Sequence, residues 1–181
     1  MSAVGILAGA GPSQAGRHQM PYLYQASGVL AERWPAGLRT ILSLVVGTLQ
    51  KAANTRIATR WLDDYWGKSF PEKPQNLAVE EVRAILLRML FDGFAQGAQP
   101  AVQEARLLSQ DWGIPFEEVA YDKVQVWHGA RDKNAPLQMM QWMTDRLPHS
   151  VLKVYENDTH FTMDQHLEAV LLALVPEKTK G

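Results

Sequence analysis

Val124-Gln125-Val126-Trp127-His128-Gly129-Ala130-Arg131-Asp132-Lys133-Asn134-Ala135-Pro136, then the stretch to Leu147, then Val151-Leu152-Lys153-Val154-Tyr155-Glu156-Asn157-Asp158-Thr159-His160, is where the fold is decided. Val124–His128 is a short apolar run closed by Gly129 and a polar loop, which predicts a buried strand. Leu137–Leu147 reads as a helix, Val151–Tyr155 as a second strand and Phe161–Val175 as a closing helix. Strand, helix, strand, helix with short connections is a βαβα unit. It implies parallel strands joined by a right-handed crossover.

Toward the N-terminus, Ala3–Ala8 is another short apolar run, stopped by Gly9-Ala10-Gly11-Pro12, and is expected to be a strand and loop. From Pro21 to about Gly113 the texture is helical. Pro21–Arg33 is amphipathic, and Pro35 suits the first turn of the next helix. Ala36–Ala53 repeats Leu38, Ile41, Leu42, Val45, Val46 and Leu49 at helical period, and Thr55–Tyr65 is shorter. Ser69–Asn76, with Pro71 and Pro74, is a break. Leu77–Gln96 follows, with Val79, Val82, Leu86, Met89, Leu90 and Phe94 on one face and Glu80 and Glu81 at the positive end of the macrodipole. Pro100–Trp112 is a last helix before Gly113 and Pro115. The layout is an α/β chain with about three parallel strands. Its segments are a first strand and loop (1–20), a helical block (21–120), a C-terminal βαβα unit (121–176) and a polar tail (177–181). Three strands are few for an open parallel sheet, which needs both faces covered.

With 181 residues, the chain is long enough for one domain with a real core. A net charge of −1 with scattered Lys and Arg lacks the footprint of a nucleic-acid binder. Zero Cys excludes disulfides, cysteine zinc sites, iron–sulfur clusters and thiol nucleophiles. The longest apolar stretches, Ile41–Leu49 and Ala169–Val175, are shorter than the roughly 20 residues that span a bilayer. The N-terminus lacks the basic region of a signal peptide. A cytoplasmic protein without membrane or nucleic-acid partners is expected.

Asp132 and His160 are the leading chemical pair. Each lies in the loop after a late strand, and ligands in open α/β sheets gather beyond the carboxyl ends of strands. If the strands are neighbours, about 4.8 Å apart, the carboxylate can orient the imidazole, as in the general-base half of a nucleophilic relay. The bland alternatives stand beside this: Asp132 as a turn or N-cap residue for the helix after Pro136, and His160 as a cap or surface group. Asp158 is a weaker acid candidate, and His128 reads as a core or rim residue. His18, His149 and His166 have no partner at metal-ligand spacing, so no zinc site is expected. Gly9-Ala10-Gly11 has Gln14 where a dinucleotide loop needs its third Gly, and Arg17-His18 replaces the Lys and Ser/Thr of a P-loop. No cofactor is expected. The nucleophile is the gap: Ser13, Ser27, Ser43, Ser69, Ser109 and Ser150 all lack the Gly-x-Ser-x-Gly elbow.

Val126–Pro136 resembles the acid-bearing strand and loop of the α/β-hydrolase superfamily, and Leu152–Phe161 its last strand and histidine loop. Val4–Pro12 is similar to the strand after the nucleophile helix. Phe91–Gly97, Glu104-Ala105-Arg106 and Asp111-Trp112-Gly113 look like the helical cap of an ester-hydrolase branch. The resemblance runs from about Ala3 to Val175. It implies a partial α/β-hydrolase fold with a helical cap at 21–120, Asp132 as triad acid and His160 as base. In the family's chain order the serine should precede Ala3, so the early strands, oxyanion loop and elbow are not expected here. The implied activity is Ser-His-Asp-type hydrolysis of an ester or similar bond in an apolar small molecule. It requires a nucleophile segment supplied by an upstream coding region or a separate polypeptide. The alternative is a catalytically inactive relative serving as a binding or accessory protein. Without the early strands, Ala3–Ala8 is expected to be an exposed edge that invites self-association.

Overall fold

A computed structural model describes residues 3–53, 55–69 and 78–175. Its sheet has three parallel strands in the order β1 (Val4–Leu7), β2 (Val124–Gly129), β3 (Ser150–Tyr155). The register pairs Val4 with Val124 and Val124 with Ser150. Between β1 and β2 the chain forms α1 (Tyr22–Arg33), α2 (Pro35–Ala52), α3 (Arg56–Ser69), α4 (Val79–Gly93) and α5 (Gln99–Ser109). Then α6 (Leu137–Thr144) connects β2 to β3, and α7 (Leu167–Leu174) follows β3. Most of the expected break at Ser69–Asn76, the helix start at Leu77 and the tail 177–181 lie outside the described residues.

β2 is central and buried along nearly its whole length, as a parallel strand covered on both faces must be. Its side chains alternate between two cores. Val124 and Val126 pack with Met139, Met140 and Met143 from α6 and with Leu147 beyond it, joined by Ile6 and Leu152. Trp127 packs on the opposite face with Met163, Val170 and Leu174, the last two from α7, and with Leu7. Each face of this small sheet is therefore covered by one helix. β1 and β3 are its edges, and Val151 on β3 is exposed.

The chain divides into two compact units, residues 3–26 with 107–175 and residues 27–106. The second unit is helical. Ala31, Leu38 and Val102 form its small core with Leu30, Leu42 and Ala105 against it. Nη1 of Arg83 on α4 donates to both carboxylate oxygens of Asp63 on α3, each at 2.9 Å. The Glu81 carboxylate accepts the Ala78 N–H at 2.9 Å, which holds the entry of α4.

α3 runs on to Ser69, past the expected Tyr65, and α4 and α6 end at Gly93 and Thr144, short of Gln96 and Leu147. Two further boundaries differ from the sequence expectation for polar reasons. α5 stops at Ser109 rather than running to Trp112. The Trp112 indole donates to the Leu107 carbonyl, and the Asp111 carboxylate accepts the Gly113 N–H, with Gly113 at φ 63 turning the chain away. The closing helix begins at Leu167, because 3-10 geometry occupies Thr162–His166. The side chain of Asp158 accepts from Thr162 Oγ1 and Gln165 Nε2 and bonds His166, so that turn is wound around a carboxylate.

Candidate functional site

The parallel pairing of β2 and β3 brings the loops that follow them to the same end of the sheet. Those loops are laced together by backbone bonds: Ala130 N–H to the Tyr155 carbonyl and Arg131 N–H to the Asp158 carbonyl, both at 2.9 Å. The Arg131 guanidinium also donates to Asn157 Oδ1. Gly129 makes the lacing possible. A Cβ there would collide with the Asp158 carbonyl, so the constraint is close approach of two backbones rather than a special φ.

Asp132 is buried in the first loop and uses its two oxygens separately. Oδ1 accepts the N–H groups of Asn134 at 2.8 Å and Ala135 at 2.9 Å, which fixes the turn before α6. Oδ2 meets Nδ1 of His160 at 2.8 Å. One oxygen thus serves the turn and the other the contact with His160. A carboxylate Oδ2 accepts, so Nδ1 of His160 carries the proton and Nε2 presents a lone pair. Among the described residues Nε2 has no hydrogen-bond partner, and the ring is 35% exposed. The bond to Asp132 raises the His160 pKa above 6.5, helped by the carboxylate's charge and opposed by burial.

His128, read from sequence as a core or rim residue, is fully buried at the end of β2. Its Nε2 is 2.7 Å from the Ala135 carbonyl and 3.5 Å from Asp132 Oδ2, while Nδ1 has no partner. Burial pushes its pKa down, against the Ala135 carbonyl and the Asp132 charge. The available signal was a histidine on the same face of the strand as Val124 and Val126. Asp158 does not serve His160. It bonds His166 Nε2 at 2.8 Å, and the His166 ring stacks on Tyr155 at 3.8 Å between centroids.

The Gly9–Gly16 loop is used for packing. A Cβ on Gly11 would press on Met139 of α6, and Pro12 and Ala15 are buried. Among the described residues no cluster of three or more His, Asp or Glu side chains could hold a metal ion. No helix there is long and apolar enough to cross a membrane. An open depression of about 480 Å³ runs along α7, lined by Leu167, Leu171, Leu172 and Val175 with a polar rim of Asp164, Gln165 and Glu168. Asp132 and His160 are not among its walls. In comparisons with known proteins, no family model matches the chain and no curated protein matches its sequence.

Proposed function

We propose that Asp132 and His160 form the acid–base half of a hydrolase relay of the α/β-hydrolase kind, acting on an ester or similar bond of an apolar small molecule. One observation carries this reading. A buried carboxylate holds Nδ1 of an imidazole at 2.8 Å and leaves Nε2 open, at the loop end of a parallel sheet. In that role His160 takes a proton from a hydroxyl nucleophile and returns it to the leaving group, while Asp132 holds the tautomer and stabilises the imidazolium. The hydroxyl is not supplied to Nε2 by any described residue, so a partner polypeptide or a further segment provides it. The apolar side chains exposed on the helical unit, among them Leu44, Ile57 and Trp61, are in keeping with an apolar ligand.

The test is hydrolysis of short p-nitrophenyl esters by the purified chain and by His160→Ala. An oriented imidazole attacks such activated esters even without a serine. The wild type is expected to exceed the variant by about 100-fold or more, the low end of acid–base contributions. Its rate should rise with pH through a pKa above that of free imidazole, because only the neutral ring is a base. Equal rates would remove the catalytic reading. They would favour the second one, a binding or accessory protein. That reading is supported by the unpartnered Nε2 and by the exposed Leu171 and Leu172 of α7 and Val175 just after it. Size-exclusion behaviour then reports whether the chain associates with itself, for which the β1 edge is the proposed surface.

A further inference from the structure

We propose that His128 is a positioning residue for His160, acting through Ala135 and Asp132. Three hydrogen bonds run in series from the core strand to the relay imidazole. Nε2 of His128 donates to the Ala135 carbonyl at 2.7 Å. The N–H of the same Ala135 donates to Asp132 Oδ1 at 2.9 Å. Oδ2 of Asp132 accepts from Nδ1 of His160 at 2.8 Å. Ala135 is thus held at both its carbonyl and its N–H, once by the strand and once by the carboxylate. The loop cannot shift its acid without breaking the bond to β2.

The tautomer of His128 follows from chemistry. A carbonyl only accepts, so the proton sits on Nε2 and Nδ1 is left as an acceptor. That Nδ1 has no partner although the ring is fully buried. An orphaned ring nitrogen makes folding less favourable than an apolar side chain of similar size would. Packing therefore gives no reason for histidine at the end of this strand, whereas a donor aimed at Ala135 does. The ionisable groups acting on His128 are Asp132 and His160. Burial keeps the ring neutral, which matters because Nε2 stands 3.5 Å from the oxygen that serves His160. A cation there would compete with His160 for Asp132.

The inference rests on the relay reading for its meaning, yet its readout does not need hydrolysis. Wild type, His128→Leu and His128→Gln of the full chain are compared by histidine NMR titration and thermal melting. His128→Leu is expected to melt no lower than wild type, while the His160 pKa falls toward 6.5 and its low-field Nδ1 proton signal broadens or disappears. His128→Gln, which can place an N–H near the same carbonyl, is expected to restore both signals. A folded His128→Leu with the His160 titration and proton signal unchanged overturns the proposal. So does a loss in His128→Leu that His128→Gln does not restore. If His128→Leu does not fold, a folded His128→Gln with wild-type titration supports the proposal, and an altered titration or failure to fold overturns it. If no ester is cleaved but the His160 titration still depends on His128, the hydrolase reading fails and the positioning role stands.

Discussion

Two carboxylate–imidazole pairs of equal length, 2.8 Å each, lie close in sequence and are built for different ends. Asp132–His160 joins two loops from neighbouring strands. The acid's other oxygen is saturated by backbone N–H groups, and the far nitrogen of the imidazole is open. Asp158–His166 lies within one segment. Its acid also binds Thr162 and Gln165, and its imidazole stacks on Tyr155. The first pair fixes an orientation across the sheet and leaves a reactive atom facing out; the second winds a 3-10 turn and anchors it to β3. A short Asp–His distance does not by itself make a relay. What separates the pairs is what holds the acid's other oxygen: backbone N–H groups of a loop for Asp132, side chains of the 3-10 turn for Asp158.

The sharpest way to break this contrast is Asp132→Ala. It strands the buried N–H of Ala135 and the part-buried N–H of Asn134 and removes the anchor of His160, so a loss of about 2–4 kcal/mol is expected in urea unfolding. The His160 pKa should drop to 6.5 or below, since burial remains while its main support is gone. A stable variant with an unchanged His160 titration would defeat the assignment.

Gly129→Ala comes next. Its Cβ meets the backbone of Asp158, which cannot rotate away as a flexible side chain would, so the two loops must part. The expected destabilisation is about 1–3 kcal/mol, with weakening of the Asp132–His160 bond seen by NMR. Wild-type melting would mean that the loops are not held so closely.

A smaller effect tests the Asp132–His160 pair by pH. The folded His160 pKa is raised, so its bond to Asp132 contributes stability that is full below the unfolded pKa of 6.5 and fades as pH rises through the folded value. The stability gap between wild type and His160→Gln, measured by urea titration across pH, should therefore be widest in mild acid and narrow toward alkaline pH. The opposite trend would contradict the geometry.

Smallest of all is His166→Phe, which keeps the stacking on Tyr155 and gives up the bond to Asp158. Because His166 remains partly exposed, about 1 kcal/mol or less is expected, with the His160 titration untouched. A shifted His160 pKa in that variant would show that the two pairs are coupled.

Local pattern was enough for much of this molecule. Apolar runs of strand length, Gly and Pro stops and the helical period of 36–53 depend on neighbours in the chain, so the βαβα unit and the placement of Asp132 and His160 in successive loops were legible in the residues alone. Parallel pairing with short connections then makes the two loops share an end. Only the folded coordinates could divide the oxygens of Asp132 between turn and imidazole, give Asp158 to His166, and turn His128 inward with one nitrogen unsatisfied. Those choices depend on directional bonds between residues brought together by the sheet. The burial that makes an orphaned nitrogen or a close backbone contact costly exists only after the chain has packed.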